Sequence, residues 1–195
     1  GVVAPRAVHA RVYINGRYHG LFVAVEQVDG RFTANRYPAL GDGNVYKQVW
    51  PTPGIGEYTV KGALKTNDDD PDAIDVSGFM AFAEAVGQAT AQSFESDMEP
   101  HLDLEYMSRY IVVDRALVNY DGPLAFYQSI GNHNYYWYHE EGTGRHTLIP
   151  WDLDKILLNP EPNFWFNNSS EATDPLIPSC EPSNVPNWNV VSSSC

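Results

Sequence analysis

The stretch Asn132-His133-Asn134-Tyr135-Tyr136-Trp137-Tyr138-His139, followed after a short break by His146-Thr147-Leu148-Ile149-Pro150-Trp151-Asp152-Leu153-Asp154, decides how this chain reads. Two runs rich in aromatic and β-branched residues, Asn134 to His139 and His146 to Trp151, flank Glu141-Gly142-Thr143-Gly144, which predicts a hairpin. Asn134 enters that hairpin and Asp152 leaves it. Upstream, Leu104, Met107, Tyr110, Ile111 and Leu117 recur at helical spacing, and the periodicity fades near Asn119, just before Asp121. Oxygen donors therefore stand on three successive elements. Hard cations such as Mg²⁺ take such ligands, together with waters and substrate phosphates. Asp and Asn are also ordinary turn and capping residues, so the pattern alone leaves both readings open.

Working outward, Val8, Ala10, Val12 and Ile14 alternate with His9, Arg11 and Tyr13, as in a half-buried strand. Asn15-Gly16 predicts a type I′ turn, and the return strand runs from Arg17 to about Glu26. Asn44 to Trp50 reads as a third strand. Ser77 is expected to cap a helix that carries Phe79, Phe82, Ala83 and Val86 inward and runs to about Ser96; Asp103 is expected to cap a second. From Leu158 onward Pro, Asn and Ser dominate, and only irregular structure is expected. Strands, two helices, a hairpin and a tail make an α+β protein, with a β-rich part over residues 1–75 and a mostly helical part over residues 76–195.

Composition narrows the chemistry. With 195 residues and 43% hydrophobic content the chain can bury a substantial core. No run reaches the roughly 18 apolar residues of a membrane span. Twelve Lys and Arg against 25 Asp and Glu leave a net charge of −13. Such a chain repels nucleic-acid phosphates and anionic membrane surfaces. A divalent cation is its natural means of holding a polyanion, and a basic protein would be drawn to it. Cys180 and Cys195 are expected to form a disulfide, worth at most about 3 kcal/mol for so short a loop, in keeping with a secreted or surface protein. Without an initiating Met or a signal peptide, the chain reads as an internal fragment.

Several familiar sites are excluded. Asn67-Asp68-Asp69-Asp70-Pro71-Asp72 lacks the alternation and central glycine of a calcium loop. The six histidines have no zinc spacing and read as surface or hydrogen-bonded residues. Neither G-x-S-x-G nor a glycine-rich phosphate loop occurs. Any nucleotide site here is unorthodox.

Three blocks resemble the CotH proteins, regarded as atypical, secretory-pathway-like protein kinases. Tyr13-Ile14-Asn15-Gly16-Arg17-Tyr18-His19-Gly20-Leu21-Phe22 through Glu26-Gln27-Val28-Asp29 is similar to the family's amino-terminal hairpin and its E-x-x-D. Val45-Tyr46-Lys47 resembles its short Y-K strand. His133-Asn134-Tyr135-Tyr136 with Ile149-Pro150-Trp151-Asp152-Leu153-Asp154 resembles its most specific signature. The resemblance implies a two-lobed kinase-like fold, truncated here at both ends, that transfers the γ-phosphoryl of ATP to a Ser, Thr or Tyr hydroxyl of a protein with Mg²⁺ or Mn²⁺. By position, Asp121 is the catalytic-loop Asp, Asn134 and Asp152 are the metal ligands, and Lys47 neutralises nucleotide phosphates while paired with Glu26. In the family that Asp lies only a few residues before the His-Asn pair, whereas here residues 122–132 intervene. A non-catalytic surface or coat binding module on the same fold is the alternative, and a phosphohydrolase or nucleotidyltransferase using the same acids is a further one. The expected location is secreted, cell-surface or coat-associated.

Overall fold

A computed structural model describes residues 1–39, 41–69, 74–119, 121–124 and 132–157. The Cys180–Cys195 bridge, the irregular tail and the aromatic residues of the 122–132 segment, Phe126 and Tyr127, lie outside the described residues. In chain order the elements are β1 (Ala7–Ile14), β2 (Arg17–Val25), α1 (Gly30–Arg36), β3 (Asn44–Lys47), α2 (Glu57–Gly62), α3 (Ser77–Gln88), α4 (Phe94–Met98), α5 (Leu104–Ala116), β4 (Tyr135–Glu140) and β5 (Arg145–Pro150), with a 3₁₀ turn at Leu153–Lys155. The protein is α+β, with two small antiparallel sheets, β1-β2 and β3-β4-β5.

The β3-β4-β5 sheet is buried on both faces, and the period-2 rule sorts its residues between them. Tyr46, Tyr135, Trp137 and Leu148 pack with Phe79, Phe82, Met107 and Tyr110 on one side. Val45, Tyr136, Tyr138 and Ile149 pack with Val28 and Phe32 on the other. Burial on both faces is why β4 reads Tyr-Tyr-Trp-Tyr rather than alternating with polar residues. The Tyr106 hydroxyl donates to the Leu148 carbonyl at 2.7 Å and fastens α5 to β5. Because β3 pairs with β4, and Val49, Val60 and Leu64 share a core with Phe79 and Trp137, the expected division at residue 75 does not coincide with a break in packing.

Three local expectations are corrected. Asp29-Gly30, which as a sequence reads only as a break after the return strand, starts a helix: the Asp29 carboxylate accepts from Arg31 N–H and Phe32 N–H and caps α1. α3 starts with Val76 at its cap position, while Asp75 accepts from Ser77 N–H, and the helix ends at Gln88 rather than near Ser96. Asp103 does cap α5, accepting from Tyr106 N–H. The amino-terminal hairpin forms with its turn at Asn15-Gly16, but it is not half-buried. Leu21, Val23 and Val25 on one face, and Val8 and Phe22 on the other, are all exposed.

A stack of aromatic and imidazole rings fills the core between α3 and β5. His146 is 1% exposed, its ring stacking on Phe82 at 4.6 Å and on His139 at 4.4 Å, while His101 stacks on the far side of the cluster against Phe82 at 5.8 Å. The His146 Nδ1 lies 3.3 Å from the His101 carbonyl, and its Nε2 has no hydrogen-bond partner among the described residues. Burial holds His146 well below its ordinary value of 6.5, and burial lowers His139 and His101 as well. The unfolded chain takes up protons below that value which the folded core refuses. Stability is therefore full above pH 6.5 and declines as the pH falls through it. Urea midpoints are expected to drop between pH 7 and 5, with a shallower drop in His146→Phe. An equal slope in both proteins would remove His146 from this account.

Candidate functional site

One end of the three-stranded sheet gathers most of the candidate residues. Lys47 is the last residue of β3 and lies opposite Tyr136. His133 and Asn134 immediately precede β4, Trp151 and Asp152 immediately follow β5, and Trp151 N–H donates to the Asn134 carbonyl at 3.0 Å. Asn134 and Asp152 both adopt left-handed backbone angles, with φ of 60° and 51°. Asn and Asp tolerate that region better than other side-chain-bearing residues.

Asp121 reaches the same place from beyond α5. Its Oδ1 lies 2.6 Å from His133 Nε2, and Asn134 Nδ2 donates to its carbonyl at 2.9 Å and to its Oδ2 at 3.2 Å. The intervening residues 122–132 therefore do not carry Asp121 away from the His-Asn pair. The end of α5 supports this loop from beneath. Asn119 Nδ2 donates to the buried Asp114 carboxylate at 2.8 Å, and Arg115 donates to the Leu124 carbonyl at 3.0 Å. Burial pushes the Asp114 carboxyl up to about 6. Gly122 lies against Asn119 so closely that a Cβ would fall 2.2 Å from Nδ2, which excludes any larger residue without rearrangement.

The donor set is oxygen only. Asn134 commits its Nδ2 to Asp121. Asp152 is exposed. Among the described residues no group of three His, Cys, Asp or Glu side chains converges on a metal-sized space. One carboxylate and one amide oxygen are nevertheless the kind of partial shell Mg²⁺ takes when phosphates complete it.

Lys47 and Glu26 do not pair. The Lys47 ammonium lies 5.6 Å from the Tyr136 ring centre and 5.8 Å from that of Trp151, in reach of both π faces, and makes no ion pair among the described residues. Glu26 sits instead at the foot of the β1–β2 hairpin. It binds Arg6 at 2.7 Å and Arg36 at 2.5 Å. Hydrogen bonds from Arg6 and then Arg36 hold its carboxyl well below the usual carboxylate range. Two guanidiniums satisfy Glu26 where one ammonium was expected.

His133 is hydrogen-bonded, one of the two states expected of the histidines, but its pairing with Asp121 was not foreseen. Zinc spacing was the wrong test for it, since its partner is a carboxylate rather than a metal. The signal that could have found it was its adjacency to Asn134. A groove of about 800 Å³ beside α3, lined by Ile55, Ile74, Met80 and Glu84 among others, contains none of these residues.

A family model described as CotH kinase protein matches residues 1–192. The chain belongs to the CotH family. The inner spore coat protein H of Bacillus subtilis (strain 168) is 26% identical to it over 163 residues, covering 79% of this chain and 42% of that protein. This CotH-family chain thus spans less than half the length of that relative. Among its described residues no helix is long and apolar enough to cross a membrane.

Proposed function

We propose that this CotH-family chain is the phosphoryl-transfer part of an ATP-dependent protein kinase with a two-lobed kinase-like fold. The observation that supports it is the gathering of Lys47, Asp121, Asn134 and Asp152 at or beside one end of the β3-β4-β5 sheet. Kinase chemistry asks for a carboxylate that orients the acceptor hydroxyl, oxygen ligands for a metal on the phosphates, and a cation beside them. The acceptor oxygen attacks the γ-phosphorus, the bond to the β–γ bridging oxygen breaks, ADP leaves, and the hydroxyl proton passes to Asp121. Asn134 Oδ1 and the Asp152 carboxylate would hold Mg²⁺ or Mn²⁺. When bound, that ion neutralises phosphate charge. Lys47, free of a carboxylate among the described residues, has its charge available for a phosphate. In-line placement and charge neutralisation supply most of the rate enhancement in such reactions.

Asp152→Ala is expected to abolish Mg²⁺-dependent ATP binding, followed by titration calorimetry, because it removes the one carboxylate in the ligand pair. An unchanged titration would sink the assignment. Transfer of label from γ-labelled ATP to protein, with ADP as the other product, separates a kinase from a phosphohydrolase, which releases phosphate, and from a nucleotidyltransferase, which transfers AMP.

A coat or surface binding role is the second reading. The exposed apolar faces of β1–β2 favour it, as large solvent-facing apolar patches mark contact surfaces. So does the relative's description as a spore coat protein. Coat association and catalysis are compatible, and a secreted or coat location fits both.

A further inference from the structure

We infer that His133 is the positioning residue for the Asp121 carboxylate, holding it in one rotamer from the side opposite Asn134. The inference rests on the reading of Asp121 as the group that orients the acceptor hydroxyl. His133 Nε2 meets Oδ1 at 2.6 Å, and Asn134 Nδ2 meets Oδ2 at 3.2 Å. Each carboxylate oxygen thus has its own donor. A carboxylate's terminal torsion is otherwise broad and two-fold, and a donor on each oxygen narrows it. An ionised carboxylate only accepts, which makes Nε2 the protonated ring nitrogen. The side chains are 17% and 22% exposed, so little water competes for the bond.

The backbone explains how neighbouring residues can share one target. In an extended strand successive side chains point to opposite faces. Asn134 has φ of 60° and breaks that alternation just before β4 begins, so the His133 and Asn134 side chains both turn toward Asp121. The Asp121 side is fixed too: Asn132 donates to the Pro123 carbonyl, and Asn134 to the Asp121 carbonyl. The loop bearing the carboxylate and the segment bearing its donors are pinned to each other by asparagine side chains that donate to backbone carbonyls. His133 then governs the direction of the carboxylate rather than the position of its backbone.

The test uses the 195-residue chain, γ-labelled ATP with Mg²⁺, and a lysine-rich histone as acceptor. His133→Leu is expected to lower kcat about 100-fold, the scale of a small misplacement in a reacting group, with the KM for ATP unchanged. His133→Gln keeps an N–H at similar reach and is expected to recover most of the rate. In the Asp121→Asn background, His133→Leu should cost nothing further, because the two act as one unit. Nitrogen-15 spectra of the imidazole should show Nε2–H in the parent and a displaced signal in Asp121→Asn, a readout independent of turnover. Parental transfer with unchanged kcat in His133→Leu, a loss that adds in full to Asp121→Asn, or an Nδ1–H tautomer would overturn the positioning role and leave the kinase reading standing. No transfer from the parent would overturn the kinase reading and this inference together. Should His133→Leu fail to fold, the glutamine variant and the spectra still decide.

Discussion

Asp121→Asn is expected to bind ATP as the parent does and to transfer phosphate about 10²–10⁴-fold more slowly, the range a positioned general base contributes. The hydrogen bonds explain why binding should survive. Asn134 is anchored to the Asp121 backbone carbonyl at 2.9 Å as well as to its side chain. Removing the carboxylate leaves that main-chain anchor, so the amide oxygen proposed to face the metal stays in place. The substitution removes the acceptor for a hydroxyl proton and one of the two side-chain acceptors that face His133 and Asn134. Nucleotide titration beside a transfer assay checks both halves. A rate equal to the parent's would mean that another carboxylate, Asp154 being the nearest in sequence to the proposed metal ligands, orients the hydroxyl.

Trp137→Ala should lower stability by about 3–5 kcal/mol, the usual range for deleting a fully buried tryptophan. Trp137 is 0% exposed on the central strand of the sheet, edge-on to Phe82 at 5.5 Å and 5.7 Å from the Trp50 ring centre. Few neighbours can move in to fill the space, because the strands on either side carry equally buried residues. A domain of this size loses about 2–4 °C of melting temperature per kcal/mol, so thermal unfolding by circular dichroism should shift by roughly 6–20 °C. A shift of a degree or two would show that the β3-β4-β5 layer is packed more loosely than its burial implies. Asn134 directly precedes β4 and bonds to Asp121, so any loosening there would reach the site as well.

The β4–β5 hairpin, α5 with its Asp103 cap, and the amino-terminal hairpin with its Asn-Gly turn were legible because each follows from local pattern. So was the grouping of Asp121 with Asn134, read first as oxygen donors on successive elements and given its roles by the family resemblance. α1 and α2 were not legible. They run for seven and six residues, too short for a periodic stripe to declare itself. The half-burial expected of β1 failed for a different reason: alternation says which residues share a face but not whether anything covers that face. The partner of Glu26 was equally hidden. Arg6 and Arg36 lie 20 and 10 residues from it in sequence, and only the closing of the hairpin foot beside α1 brings all three together.

That foot has a dynamic consequence. A lone two-stranded ladder with water on both faces is marginal on its own, and β1–β2 is joined at its base through the Glu26 N–H to Arg6 carbonyl bond and the two guanidiniums on one carboxylate. Such a unit opens and closes at a free energy far below that of global unfolding. Its amides are expected to exchange ahead of those of β4, whose tyrosines and tryptophan are buried. The ladder can exchange, fray or be cut by a protease while Asp121, His133 and Asn134 keep their geometry.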